Sequence, residues 1–286
     1  GTTLPETSIP VIAIFFGSGQ EQVEVGLGAI LGAPFMLSTL VLPILAGLLV
    51  LYAKLGKRAA SFKLNYREVQ VDIVFFLVAY SLAVACAFIS SPTMHTVAAI
   101  TLLGWYGYYI KLKFASVDEE GEEGGGLEPL MFAKKSAQPS LVLIVAQAFV
   151  GLAGLAGGAH LFVTAAEAMS TVLHVSPLLL ALLIAPLATE LPEMSNSFLW
   201  LYRKKDTLAV GNVTGAMVFQ STCPVAVGLL GTTWSLGATP LLTMELALVA
   251  MGLSLAQLLG GGHWRPWMLG AGALLYGGFS LYLIYG

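Results

Sequence analysis

The sequence predicts an all-α polytopic membrane protein built from two halves of opposite topology. Three observations predict it: the composition, the placement of the basic residues, and a pair of motifs that occurs twice. Of 286 residues, 57% are hydrophobic and 10% are charged; the mean hydropathy is +0.84. A soluble domain carries roughly 25% charged residues, so a chain of this size and polarity belongs in a bilayer. The net charge of −3 gives nucleic acid no electrostatic footing. Membrane lipid is the expected surrounding partner.

Apolar runs of about 20 residues are needed to span a bilayer. Eight complete ones are read, near 23–53, 69–90, 94–113, 139–171, 176–202, 207–231, 239–259 and 264–285. Residues 1–16 read as the end of a ninth helix. The chain opens on Gly1, inside a polar motif and without a methionine, so a preceding segment is expected. With the 54–68 loop inside, the inner connections are 54–68, 111–138, 203–206 and 260–266. They hold all 13 lysines and arginines. The opposite connections, such as FGSGQEQVE, SSPTMHT and TVLHVSP, hold none. Positive charge marks the cytosolic side, so the central loop is expected in the cytosol and the end of the chain outside. A bacterial inner membrane is the expected location.

Three parts follow: a first half over 1–113, an acidic linker over 114–138, and a second half over 139–286. The linker contains VDEEGEEGGGLEP (117–129). Its composition reads as a solvated tether; a regulatory cation loop is the alternative, without the ligand spacing of an EF-hand.

The duplication joins the halves. GTTLPE ends at Glu6 and ATELPE at Glu193, an offset of 187. GAILGAPFML starts at Gly28 and GNVTGAMVFQ at Gly211, an offset of 183. Two motifs recur in one order at nearly one spacing. The helix carrying Glu6 runs outward and the helix carrying Glu193 runs inward, as in the inverted repeats of secondary transporters.

A carboxylate at membrane depth is costly and usually faces a polar cavity. Proline removes a backbone N–H and frees the carbonyl four residues earlier, Gly1 for Pro5 and Ala188 for Pro192. Each motif therefore offers a carboxylate, hydroxyls and a carbonyl within one broken turn. These hard oxygens suit Ca²⁺, Na⁺ or a proton, so inorganic cations are expected partners and no cofactor is expected. Protonated glutamates bonded to backbone at a kink are the bland alternative. The glycines Gly28, Gly32, Gly211 and Gly215 read as close helix packing.

With these motifs the chain resembles the Ca²⁺/cation antiporter superfamily, which includes sodium/calcium and proton/calcium exchangers. The resemblance covers the motif order, the inverted halves and the central loop. It implies the exchanger fold of ten helices, with about nine present here and the first missing. It implies a transporter, not an enzyme, with Glu6 and Glu193 as central metal ligands and Thr2, Thr3 and Thr189 adding oxygen. Two departures stand out. Ala33 and Leu37 replace a serine and an amide or acid in the first half, and Ala216 and Gln220 fill those places in the second. Glu190 stands where the second motif usually has serine, one turn from Glu193. Two acids that close do not both ionise cheaply, so the expectation leans to proton coupling, or to competition of Na⁺ and H⁺, over strict sodium coupling. A monovalent cation antiporter and a non-transporting receptor-like or structural protein remain as alternatives. No HExxH or GxSxG supports a membrane-embedded enzyme.

Other residues have local readings. Gly151, Gly154 and Gly158 form a smooth stripe expected to pack tightly. His160 and Glu167 share a helix face and read as a polar pair, with a proton relay as the sharper option. Asn212 either bonds backbone or lines the site. Glu245 is expected to make an interior hydrogen bond. Cys86 and Cys223 read as separate packing thiols.

Overall fold

A computed structural model describes residues 4–120, 140–261 and 264–285. Thr2, Thr3, Lys134, Lys135 and most of the acidic linker lie outside the described residues. The described chain is helical: α1 (Leu4–Phe15), α2 (Gln20–Met36), a π-helical turn (Leu37–Val41), α3 (Leu42–Lys54), α4 (Tyr66–Cys86), α5 (Pro92–Glu120) and α6 (Leu141–Leu173). After these come α7 (Pro177–Thr189), α8 (Leu191–Tyr202), α9 (Asp206–Gln220), α10 (Cys223–Gly231), α11 (Ala238–Gly261), α12 (Pro266–Leu269) and α13 (Ala271–Tyr285).

Among the described residues, six stretches are long and apolar enough to cross a membrane: Gln20–Lys54, Tyr66–Cys86, Leu141–Leu173, Pro177–Tyr202, Asp206–Gly231 and Ala238–Gly261. The other two expected spans take different forms. The apolar run of α5 is diluted by Trp105, Tyr106, Tyr108 and Tyr109, and α5 continues to Glu120, into the expected linker. Residues 264–285 divide into α12 and α13 at Gly270.

The duplication governs where helices begin and break. α1 and α8 are both 12 residues long, and their first and last residues correspond at the motif offset of 187. α2 gives way to the π-helical turn at Leu37, and α9 ends at Gln220, its equivalent at the offset of 183. The same dipeptide follows in both halves, Ser38–Thr39 and Ser221–Thr222. All four hydroxyls bond back to carbonyls three or four residues earlier, Ser38 to Pro34 at 2.8 Å and Thr222 to Val218 at 2.8 Å among them. Such bonds compete with the helical ladder, and here they mark its interruption.

The halves interleave. α2 lies along α7, α4 against α9, and α5 and α1 against α10. Gly28 and Gly32 permit the first contact. A Cβ on Gly28 would lie 2.5 Å from the Leu178 carbonyl oxygen, and one on Gly32 would run into that of Leu182. Ser176 caps α7 by accepting from the Leu179 N–H at 3.2 Å, with Pro177 at its first position.

The glycines of the second half behave differently. A Cβ on Gly211 would meet nothing within 4 Å, and one on Gly215 only the Tyr109 hydroxyl, at 3.5 Å. Among the described residues no helix fills the groove on α9 as α7 fills that on α2. The stripe Gly151, Gly154 and Gly158 is likewise unpacked. α6 instead presents Ala159, Val163 and Ala166, one helical face, to Ile9, Ala13, Ala29 and Ala181.

Two buried acids fix helices across the halves. Asp206, which opens α9, accepts a bidentate pair from Arg58 in the α3–α4 connection and the Lys63 N–H at 2.8 Å. Asp72 of α4 accepts from Thr214 Oγ1 of α9 at 2.6 Å and Tyr109 OH of α5 at 3.0 Å, and it pairs with Lys113 Nζ at 2.7 Å.

Candidate ion site

Pro192 cannot donate the hydrogen bond that would carry α7 into α8, and the helix breaks at Glu190. The break leaves Glu190 at the junction and Glu193 in the first turn of α8. Glu6 takes the same place in the first turn of α1. The last residue of α9, Gln220, completes the group. One carboxylate oxygen from each of Glu6, Glu190 and Glu193 lies within 4.8 Å of the others. Their exposures are 5%, 0% and 0%, and that of Gln220 is 1%.

The Gln220 amide nitrogen donates to Glu6 Oε2 and to Glu190 Oε1, both at 2.7 Å. An amide NH₂ has two hydrogens, so this donor is spent. Glu6 Oε1, Glu190 Oε2, both carboxylate oxygens of Glu193 and Gln220 Oε1 are buried without a partner. The ion pairs formed among the described residues, of Arg58 with Asp206 and of Lys113 with Glu68 and Asp72, involve none of these acids. The site is therefore rich in acceptors and poor in donors. Burying so many unpaired oxygens is costly, and protons or a cation bound to them would offset that cost.

Of the residues expected from the sequence, Glu6, Glu190, Glu193 and Gln220 come together. Leu37, the first-half equivalent of Gln220, is fully buried in the apolar core and supplies no oxygen. Thr189 donates to the Ala185 carbonyl at 3.1 Å, within its own helix. Asn212 sits beside the group and holds it from behind: its amide donates to the Glu193 carbonyl at 3.1 Å and to Ser197 Oγ at 3.0 Å. Thr2 and Thr3 lie outside the described residues.

Two expected features are corrected. His160 and Glu167 do not pair; His160 is exposed and Glu167 accepts from Gln22 of α2 at 3.2 Å. Glu245 is exposed on α11 and makes no interior bond, because the buried face of that helix is set by Thr243, Met244, Ala247 and Met251. Cys86 and Cys223 are free thiols, as expected. Sequence reasoning missed Asp72, a lone acid without a repeat partner, and the paired Ser–Thr steps, which extending the 183-residue alignment by two positions would have found.

A model of the family described as sodium/calcium exchanger protein matches residues 1–115 and 143–285. A protein of Alkalimonas amylolytica that carries the name antiporter CaxA is 33% identical over 79 residues, which is 28% of this chain and 25% of that protein. The match thus spans a quarter of that relative's length. The crystal structure of the H⁺/Ca²⁺ exchanger CAX superposes with a TM-score of 0.74 at 19% identity, over 99% of this chain and 71% of that one. At that identity the likeness is one of fold.

Proposed function

The chain belongs to the sodium/calcium exchanger protein family, and from that premise we propose that it exchanges Ca²⁺, or a related cation, for H⁺ or Na⁺ at the Glu6–Glu190–Glu193 site. The family is one of transporters, and the apolar helices make this chain an integral membrane protein. One observation carries the proposal: three carboxylates share a buried site with unpaired oxygens and, among the described residues, no basic partner.

Ca²⁺ takes six to eight hard oxygens at about 2.3–2.6 Å, and the unpaired atoms are all of that kind. Charge sets the exchange. A divalent ion plus one proton neutralises three carboxylates; so do three protons. Passing between those states moves one divalent cation against two protons. An empty, ionised site is expensive to bury and resists the change of access, which couples the two fluxes. Each inverted repeat then closes one side in turn. We place the end with Arg58, Lys63 and Lys113 in the cytosol. The likeness in fold to an H⁺/Ca²⁺ exchanger supports a proton as the counter-ion. The second reading is a Na⁺/H⁺ antiporter. The Gln220 amide favours it by engaging one oxygen on each of two carboxylates, which leaves fewer for a large coordination shell.

The test is flux in liposomes, with Ca²⁺, Na⁺, K⁺ and pH gradients imposed separately. Apparent cation affinity should rise with pH, since deprotonated carboxylates bind the cation. Glu193→Gln should abolish exchange; undiminished transport by that variant would overturn the proposal.

A further inference from the structure

A cavity of about 850 Å³ opens at the end of the bundle opposite the Arg58–Asp206 pair. It lies between the first turns of α2 and α7, the last turn of α10 and the α10–α11 connection, and among the described residues Glu24 is the one charged residue lining it. Three helices that start or end beside the ion site arrive there by their other ends. α7 begins in the cavity wall at Leu178 and ends at Glu190, about 18 Å away along its axis. α10 follows Gln220 and ends in the wall at Leu230 and Gly231. α1 carries Glu6 near its start, and its end packs there too: a Cβ on Gly231 would meet Phe15 Cζ at 2.9 Å. The remaining polar lining is uncharged. Two of its hydroxyls already serve the backbone, Ser176 as the cap of α7 and Thr232 between Gly228 and Trp234.

We propose that this cavity is the antechamber of the ion site on that face, and that Glu24 collects cations in it. The inference rests on the antiporter reading and adds a second cation-handling position, distinct from the buried carboxylates. A half-buried carboxylate in a concave wall whose described lining holds no basic residue raises the local cation concentration and repels anions. It acts on arrival and not on the change of access. A divalent ion passing about 8 Å from one charge in water gains roughly a fivefold enrichment, and a monovalent ion roughly twofold.

Two measurements on the full chain test this. In liposome flux, Glu24→Gln should raise the Ca²⁺ KM about fivefold at low salt with maximal rate unchanged, and Glu24→Asp should restore it. High ionic strength should erase the difference. An unchanged KM, or a fall in maximal rate alone, overturns the proposal. The second arm needs no transport. In a chain with Cys86 and Cys223 replaced by alanine, Thr233→Cys should react faster with a cationic than with an anionic methanethiosulfonate, and Glu24→Gln should remove that preference. Equal rates with Glu24 in place overturn the antechamber. If the wild-type chain moves no cation, the antiporter reading fails on its own, and the labelling rates still decide the charge preference of the cavity.

Discussion

Glu190 shares a turn with Glu193 and an amide partner with Glu6. On the proposed reading it is the third negative charge, and it makes proton number part of ion choice. Glu190→Ser should keep cation transport against two protons, because two carboxylates hold either one divalent ion or two protons, and it should lose only the proton carried alongside the cation. Each linked proton changes apparent affinity by up to about tenfold per pH unit, so a plot of cation KM against pH should keep its wild-type slope. A flatter slope would overturn this charge count and make Glu190 one of the carboxylates that release a proton to the cation. At this scale the repeat made Glu6, Glu193 and Gln220 legible, because each sits at a duplicated position. It did not settle Asn212, whose partner is a backbone carbonyl 19 residues away. Nor did it reveal Asp72. The partners of that acid, Thr214 and Tyr109, are 142 and 37 residues distant, and no local pattern joins them.

Helices carry the same lesson with a different cause. Periodicity and length placed most of the spans, and proline placed the α7–α8 break. Glycine spacing was a weaker guide. Gly28 and Gly32 meet the α7 backbone, while Gly151, Gly154, Gly158 and Gly211 meet nothing within reach. A stripe of small residues permits close approach but does not say whether a neighbour takes it. The first pair yields a sharp expectation. Gly32→Leu should separate α2 from α7, destabilise the fold by about 1–3 kcal/mol and disturb transport, because α7 ends on Glu190. Gly151→Leu should leave thermal unfolding in detergent unchanged. Equal effects of the two substitutions would refute this account of the packing.

The molecule as a whole is two halves laced through each other. Arg58 and Asp206 fasten them at one end, with side chains 7% and 1% exposed. Removing one member of a buried pair strands the other charge, at a cost of about 3 kcal/mol or more. Arg58→Ala should therefore lower the unfolding temperature markedly. Arg58→Ala with Asp206→Asn should recover part of the loss, and failure to recover would show that the stranded charge is not the cause. At the middle of the molecule the fastening is of another kind. The Gln220 amide ties a carboxylate of one half to a carboxylate of the other. A cation claiming those oxygens has to undo that tie. On the proposed reading, cargo is then its own key: the act of loading unlocks the two halves from each other, and the act of unloading lets them latch again.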